Sequence, residues 1–336
     1  MNDGEKTATG AEEGDQAFRK RDPYGRWPEM TYGGALSFLR RRYSRDLDGV
    51  DVAVSGVPYD SAVTYRSGAR LGPRAIRAAS VQLAELKAFP FGFDPFDRLS
   101  VVDYGDCFVD PHHPDTVIPS IENHIAGILA AGALPLTFGG DHFVTYPVLR
   151  AVAAKHGPLA LLHFDAHCDT WEDDGSRFDH GSMILRAARE GLVDPAASVQ
   201  VGLRTWNDSD HGFEILTAPW VQRHGVDATV DAIRTRLGGR KVYLTFDIDC
   251  LDPAFAPGTG TPVVGGLSSA EALGILRGLG DSGRRPEIVG ADVMEVAPAY
   301  DVSEITALAA ATVAHDILCL IAAARGATGA RVGRLR

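Results

Sequence analysis

From residue 51 almost to the end of the chain, short apolar segments rich in β-branched residues alternate with longer segments of helical character. Each apolar segment has about 4–8 residues, the length that is typical of a buried strand. The predicted strands cover residues 52–57, 99–102, 134–138, 159–164, 198–201, 242–246 and 287–289. The predicted helices cover residues 73–86, 117–131, 143–156, 182–190, 230–237, 268–279 and 304–324.

This alternation predicts the fold class. Strands separated by helices form βαβ units and a parallel sheet. The predicted strands are almost continuously apolar, which indicates that helices cover both faces of the sheet. We therefore expect a three-layer α/β/α sandwich around a mostly parallel sheet of about eight strands. In such sheets the functional site lies outside the carboxyl ends of the strands, so the residues that follow each strand are the ones to inspect.

Composition excludes several classes of protein. The hydrophobic share of 45% among 336 residues is enough to build a core, which excludes a mainly disordered chain. The net charge of −11 argues against a nucleic-acid partner, because such proteins carry a basic surface. Four dispersed cysteines are typical of a reducing compartment. We find neither a signal peptide nor an apolar run of about 18 residues, and we expect a cytoplasmic protein without membrane contact.

The domain organisation is predicted to be simple. Residues 1–45 form an N-terminal extension that we expect to be partly flexible, since its first part is rich in Gly, Glu, Asp and Thr. Residues 46–330 are predicted to form a single domain, because no linker or internal repeat interrupts the alternation of strands and helices.

Two predicted strands end in closely spaced carboxylates. The strand at 159–164 runs into Asp165, His167 and Asp169, and the strand at 242–246 runs into Asp247 and Asp249. Positions two apart share a face in an extended chain, so these side chains are expected to converge. Carboxylates placed side by side repel one another unless a cation lies between them. The two strand ends therefore predict a metal site.

A third strand end adds an imidazole. Two glycines close the strand at 134–138, and His142 follows them. The three ends together supply four Asp and two His, whose charge of −4 matches two divalent cations. Oxygen-rich ligation with some imidazole favours Mn²⁺, and Ni²⁺, Zn²⁺ or Fe²⁺ also accept such ligands. A pair of metal ions can activate water at neutral pH.

These motifs resemble those of the ureohydrolases, the arginase and agmatinase family. The resemblance rests on Gly-Gly-Asp-His at 139–142, Asp-Ala-His-Cys-Asp at 165–169, the long segment 244–266 and Asp-Val-Met-Glu-Val-Ala-Pro at 292–298. It covers residues 50–325 and is closest to the agmatinase branch. It implies an α/β sandwich that binds two Mn²⁺ ions and hydrolyses a guanidino compound to urea and an amine.

The resemblance also implies roles for individual residues. One metal ion would be bound by His142, Asp165, Asp169 and Asp247, and the other by Asp165, His167, Asp247 and Asp249. Glu295 would bind the substrate guanidinium, His180 would carry a proton to the leaving amine, and Asp249 would orient the nucleophile.

The substrate is expected to be agmatine, which would give putrescine and urea. Several positions near the expected pocket depart from the family pattern, so 4-guanidinobutyrate, small or N-substituted guanidines and biguanides remain alternatives. The candidate contacts with the substrate tail are Tyr65, Trp171, Glu172, Ser182 and Ile184.

Two rival functions stand beside this one. A mononuclear zinc deacetylase on the same fold is disfavoured, because one metal ion needs only about three protein ligands and six are present. A catalytically silent partner subunit of a hetero-oligomer would lack a ligand, and none of the six is missing. The resemblance implies a homo-oligomer, a trimer or hexamer.

Overall fold

The computed structural model describes residues 30–84, 87–280 and 285–325, and these contain eight strands and seven α-helices. The strands are β1 Val52–Val57, β2 Val101–Asp106, β3 Leu134–Gly139, β4 Ala160–Phe164, β5 Val199–Val201, β6 Glu214–Leu216, β7 Lys241–Asp247 and β8 Glu287–Met294. The helices are α1 Gly72–Ser80, α2 Pro114–Ala130, α3 Thr145–His156, α4 Met183–Arg189, α5 Ala218–Leu237, α6 Ser269–Leu279 and α7 Ile305–Arg325.

The eight strands form one sheet in the order β2-β1-β3-β8-β7-β4-β5-β6, and every neighbouring pair is parallel. All carboxyl ends therefore lie at the same edge. The four central strands are β3, β8, β7 and β4, which are far apart in the sequence. Their registers align Phe138 with Val293, Val293 with Phe246, and Phe246 with Phe164.

Helices cover both faces of the sheet, as the apolar strands predict. On one face, alternate strand residues such as Phe138, Phe164 and Phe246 pack with α1, α5, α6 and α7. On the other face, residues such as Leu161 and Tyr243 pack with α2, α3 and α4. The alternation arises because successive side chains of a strand point to opposite faces. The predicted three-layer α/β/α sandwich is confirmed.

Some element boundaries differ from the predicted ones. Strand β2 begins two residues later than predicted and continues past Asp103. The Asp103 carboxylate is buried, but it accepts hydrogen bonds from Arg77, so its burial within a strand costs little free energy. The three-residue strand β6 was not predicted. Helix α5 begins twelve residues before the predicted start, because the Thr217 side chain caps it, although Gly225 interrupts its helical geometry.

The N-terminal region contributes to the core from residue 37 onward. Phe38 and Leu39 are completely buried, and the Phe38 ring packs edge-on against Phe138 at 4.9 Å. Residues 1–29 and 326–330, which carry part of the predicted domain boundaries, lie outside the described residues.

Helix α7 is long and apolar enough to cross a membrane by length and composition, although most of it is buried against the sheet and its neighbouring helices. It occupies the position of a core helix. The sequence analysis expected no apolar run of about 18 residues and did not single out this segment.

Candidate metal centre

Four neighbouring strands bring the acidic residues and histidines to one edge of the sheet. The side chains follow β3, β4, β7 and β8, and they are His142, Asp165, His167, Asp169, Asp247, Asp249 and Glu295. All of these except His167 are buried, with at most 3% of the residue exposed. Since the strands are parallel, sequence-distant residues meet here.

The acidic segments turn back on themselves instead of remaining extended. Asp165 accepts a hydrogen bond from the backbone N–H of His167 at 2.6 Å, and Asp247 accepts one from the N–H of Asp249 at 2.8 Å. Such turns are characteristic of aspartate, whose short side chain can bond to the backbone two residues on. Asp169 has a positive φ of 51°, and its carbonyl accepts the N–H of Ile184. The carboxylates therefore converge through turns, and not through the strand pleat assumed in the sequence analysis.

The first group of side chains surrounds the Nδ1 atom of His142. Carboxylate oxygens of Asp165, Asp169 and Asp247 lie 2.9, 3.0 and 3.1 Å from this nitrogen. Nδ1 is nevertheless buried and makes no hydrogen bond of acceptable geometry among the described residues. Four potential ligand atoms thus point toward a common centre.

A hydrogen-bond relay behind His142 defines its tautomer. The Thr245 hydroxyl lies 2.5 Å from Asp292, a buried carboxylate to which it donates, and 2.8 Å from Nε2 of His142. Since this hydroxyl has one proton and gives it to Asp292, it must accept from His142. Nε2 therefore carries a proton, so a neutral His142 presents the lone pair of Nδ1 to the three carboxylates. Negative groups arranged in this way require a cation between them.

The second group surrounds the Nδ1 atom of His167. An oxygen of Asp249 lies 3.1 Å from it, and an oxygen of Asp165 lies 3.3 Å from it. Asp249 is further held by the N–H of Ala166 at 3.1 Å. Asp165 contributes one oxygen to each group and is therefore placed to bridge two ions.

Electrostatics give the same conclusion. Burial, together with the charges of Asp249 and Asp165, raises the pKa of Asp247 well above its usual value. Burial and the charge of Asp165 also raise the pKa of Asp169. The protein alone therefore disfavours ionising all of these carboxyls at once, whereas bound cations would stabilise them.

The donor set fits divalent metal ions. In an octahedral site with metal–oxygen distances of about 2.1 Å, neighbouring ligand atoms lie about 3.0 Å apart. The separations of 2.9–3.1 Å around His142 have this value. Carboxylate and imidazole ligands without thiolates suit Mn²⁺, and imidazole also suits Ni²⁺ and Zn²⁺.

Glu295 lies beside this cluster with one oxygen in use and one free. Its Oε1 accepts the backbone N–H of His142 at 2.9 Å and lies 2.8 Å from Nδ1 of His180. Its Oε2 is buried and has no hydrogen-bond partner among the described residues. Glu295 also adopts a positive φ of 63°. This backbone conformation costs free energy in residues other than glycine, and it is found mainly at functional sites.

His180 connects Glu295 with the loop before α1. Its Nε2 lies 2.9 Å from the hydroxyl oxygen of Thr64, which can accept a hydrogen bond from the protonated ring. Burial lowers the pKa of His180, but the Glu295 carboxylate outweighs burial and raises this pKa to about 9. A cation that neutralised Glu295 would remove this effect and make His180 a stronger acid.

A cavity of about 320 Å³ opens onto the cluster. Its lining residues are Thr64, His142, His167, Asp169, Trp171, Arg177, Asp179, His180, Gly181, Asp247 and Thr261. Among the predicted contacts with a substrate tail, only Trp171 belongs to this lining. The sequence analysis did not single out Asp179 or Arg177, whose charged groups lie 3.0 Å apart at the cavity.

The other predicted tail contacts lie elsewhere. Ile184 is completely buried in the apolar core, and Ser182 donates to Asp173. Both carboxylate oxygens of Glu172 bind Arg189 at 2.7 Å. Tyr65 is exposed, and its ring lies beside the Arg66 guanidinium.

Polar residues inside the strands complete the site, and the sequence analysis missed them. They are His163 in β4, Gln200 in β5, Thr245 in β7 and Asp292 in β8. The available signal was their occurrence within otherwise apolar strands, since a buried polar group needs a specific partner.

The chain is similar to known proteins over most of its length. The model of the Arginase family matches residues 50–320. An agmatinase of Chromobacterium violaceum is 64% identical over 310 residues, which are 92% of this chain and 95% of that protein. An agmatinase of Escherichia coli O7:K1 is 51% identical over 298 residues, which are 87% of this chain and 95% of that protein.

Solved structures are similar over most of their length. A crystal structure described as a hypothetical agmatinase from Burkholderia thailandensis has a TM-score of 0.88 at 62% identity, covering 93% of this chain and 99% of that chain. Proclavaminate amidino hydrolase from Streptomyces clavuligerus has a TM-score of 0.83 at 42% identity, covering 88% of this chain and 100% of that chain.

Proposed function

The chain belongs to the arginase family, and we propose that it is an agmatinase, a metal-dependent hydrolase that converts agmatine and water to putrescine and urea. The agmatinase relatives support the substrate, since the 64% identical one is matched over 95% of its length. The observation that carries the proposal is the free, buried oxygen of Glu295 beside a cluster of converging carboxylates and imidazoles.

The metal ions would be held by the two groups of side chains described above. We assign one ion to His142, Asp165, Asp169 and Asp247, and the second to Asp165, His167 and Asp249. We propose Asp247 as a further ligand of the second ion. Two divalent ions held by these residues would lower the pKa of water and so would supply a nucleophile at neutral pH. We propose Mn²⁺ as the native metal, with Ni²⁺ as the alternative.

Substrate binding is the role that we assign to Glu295. A guanidinium stays protonated because its pKa exceeds about 12, so its carbon is a poor electrophile and must be held accurately. The free Oε2 of Glu295 can accept an N–H of this planar cation. The backbone N–H of His142 and Nδ1 of His180 hold Oε1 and so fix the direction of the carboxylate. We assign to Asp249 the role of orienting the nucleophile. The Thr261 hydroxyl donates a hydrogen bond to its carboxylate at 3.3 Å.

Proton transfer is the role that we assign to His180. The leaving amine needs a proton when the C–N bond breaks, and an imidazole in the cavity can give it. Pairing of Glu295 with the substrate cation weakens the main cause that raises the pKa of His180. Binding of the correct substrate therefore makes the proton easier to release.

The distal ammonium of agmatine needs an anionic partner away from the metal ions. Asp179 lines the cavity, and its carboxylate is paired with Arg177, whose side chain is 69% exposed. An ion pair with so exposed a partner contributes little stability, so an ammonium can replace the guanidinium of Arg177. Trp171 supplies an apolar wall for the methylene chain.

The remaining proposals concern the whole protein. We propose that residues 1–45 are an extension and residues 46–330 the catalytic domain. We also propose a cytoplasmic homo-oligomer, a trimer or hexamer, which binds neither nucleic acid nor membrane, with a hetero-oligomer as the alternative assembly. The charge of −11 favours small cationic substrates over nucleic acid.

Urea release by Mn²⁺-loaded enzyme tests the proposed function. The substrates are agmatine, 4-guanidinobutyrate, arginine, guanidine and a biguanide, with a Ni²⁺-loaded sample in parallel and E295Q as the inactive control. We expect agmatine to give the highest kcat/KM. Higher kcat/KM with 4-guanidinobutyrate would instead identify Arg177 as the partner of a carboxylate tail, and absence of urea with every substrate would refute the hydrolase assignment.

A further inference from the structure

A third histidine lies within the candidate metal centre. His163 is completely buried in β4, and its Nε2 lies 2.8 Å from Oδ2 of Asp165. Together with His142, Asp165 and Asp169 it forms a group of side chains close enough to hold an ion. Distance alone therefore allows two roles for His163: a further imidazole ligand, or a group that positions the ligand Asp165.

Gln200 in the neighbouring strand decides between these roles. Its Nε2 lies 2.6 Å from the carbonyl oxygen of Cys168 and 2.9 Å from Nδ1 of His163. A carbonyl oxygen can only accept, so the atom facing Cys168 must be the amide nitrogen. The same NH₂ group then donates its second proton to His163. Nδ1 of His163 is therefore an acceptor without a proton.

The proton of the neutral imidazole must consequently be on Nε2. This N–H is directed at Asp165, so the nitrogen has no lone pair to give to a metal ion. The backbone N–H of His167 donates to the other oxygen of the same carboxylate at 2.6 Å. Each oxygen of Asp165 thus accepts one protein hydrogen bond and keeps a lone pair for a metal ion.

We propose that His163 is a positioning residue that holds the bridging carboxylate Asp165, and that Gln200 holds His163 in the required tautomer. The inference rests on the metal centre of the proposed function. A carboxylate fixed at both oxygens cannot rotate between the two ions, which favours simultaneous binding of both. Groups that orient metal ligands in this manner typically change metal affinity or activity by about 10–100-fold when they are removed.

The test compares three variants of the full-length protein. H163L removes the donor, H163Q keeps an amide N–H at about the position of Nε2, and Q200L removes only the group that selects the tautomer. The measurements are Mn²⁺ per chain by elemental analysis, the Mn²⁺ Kd by competition with a chelator, and the number of imidazole ligands by X-ray absorption. Circular dichroism of the metal-free proteins reports whether each variant is folded.

We expect H163L to weaken Mn²⁺ binding by about 10–100-fold, H163Q to stay within about threefold of the unmodified protein, and Q200L to lie between them. The imidazole count should be the same in all four proteins. Loss of one imidazole in H163Q would show that His163 is a ligand and overturn the proposal. An unchanged Kd in H163L, or in Q200L if H163L does not fold, would also overturn it.

The proposed function can fail separately. If the unmodified protein binds two Mn²⁺ ions but releases no urea from agmatine, the hydrolase assignment fails. The metal-affinity series would still decide the role of His163, because it does not depend on turnover.

Discussion

Replacing Thr245 by valine should weaken metal binding while leaving the fold intact. The Thr245 hydroxyl is the acceptor for Nε2–H of His142 at 2.8 Å and a donor to Asp292 at 2.5 Å, and Thr245 is completely buried. Valine has nearly the same shape but no hydroxyl. The imidazole N–H is then left without an acceptor in the core, and His142 can exchange tautomers, which places a proton on the nitrogen that faces the metal ion.

The magnitude follows from the buried donor. An unsatisfied buried donor costs about 1–3 kcal/mol. If this cost falls entirely on the metal-bound state, the Kd for the ion at His142 rises by about 5- to 150-fold. The Oδ2 atom of Asp292 keeps the hydrogen bonds from Tyr243 at 2.6 Å and Thr145 at 2.9 Å, and these should hold the strand in place, although Oδ1 loses its donor Thr245.

The assay is Mn²⁺ titration against a chelator, combined with kcat at saturating Mn²⁺. T245S retains the hydroxyl and should bind Mn²⁺ like the unmodified protein. Y243F removes a different donor from Asp292 without touching His142, and it serves as the matched control. A Kd for T245V within about twofold of the Y243F value would refute the relay from Asp292 to His142.

Four further outcomes are expected. In E295Q, kcat/KM for agmatine should fall by about 10²–10³-fold at an unchanged metal content, because the anionic partner of the guanidinium is lost. In the pH profile, kcat/KM should fall as pH increases through about 9: the Glu295 carboxylate stabilises protonated His180 and raises its pKa, and the protonated form is the one that gives a proton to the leaving amine. H180N should abolish this limb of the profile, and its persistence would contradict the assignment. In G140A the new Cβ would lie 1.5 Å from the Tyr59 carbonyl oxygen, so the free energy of unfolding, measured with denaturant, should fall by more than about 3 kcal/mol. The control is G127A, where a Cβ on helix α2 meets open space, and this variant should be as stable as the unmodified protein or more stable. Chelation should abolish urea release, and added Mn²⁺ should restore it; activity that survives complete metal removal would exclude the metal-dependent reaction.

The sequence predicted the fold class because the physical signals are local. Apolar strands of about six residues between amphipathic helices indicate a covered parallel sheet without further information. The candidate ligands were also identified locally, since acidic residues that follow buried strands have few structural roles. Strand β6 was missed because three residues carry too little periodicity for recognition.

The residues that orient the ligands depend on contacts that the sequence does not display. Thr245 and Asp292 meet because β7 pairs with β8 in a register that places these two residues side by side. His163 meets Gln200 because β4 pairs with β5 in a similar way. In the sequence, each of these four residues is merely a polar position in an apolar strand.

The substrate cavity shows the same division. The loop after β4 was identified as a candidate for contacts with the tail, but its turns place Trp171 and Asp179 at the cavity and direct Glu172 toward Arg189. In a loop, no regular period relates sequence position to direction, so the side chains that face the site follow from packing alone.

The amino-acid sequence by itself thus determined the layers of the fold and the chemical types of the six candidate ligands, because strand burial and carboxylate spacing are properties of short segments. Only the tertiary structure decided which oxygen faces which nitrogen. Hydrogen-bond direction in the core depends on the order and register of strands that lie a hundred residues or more apart in the sequence, as between His142 and Thr245.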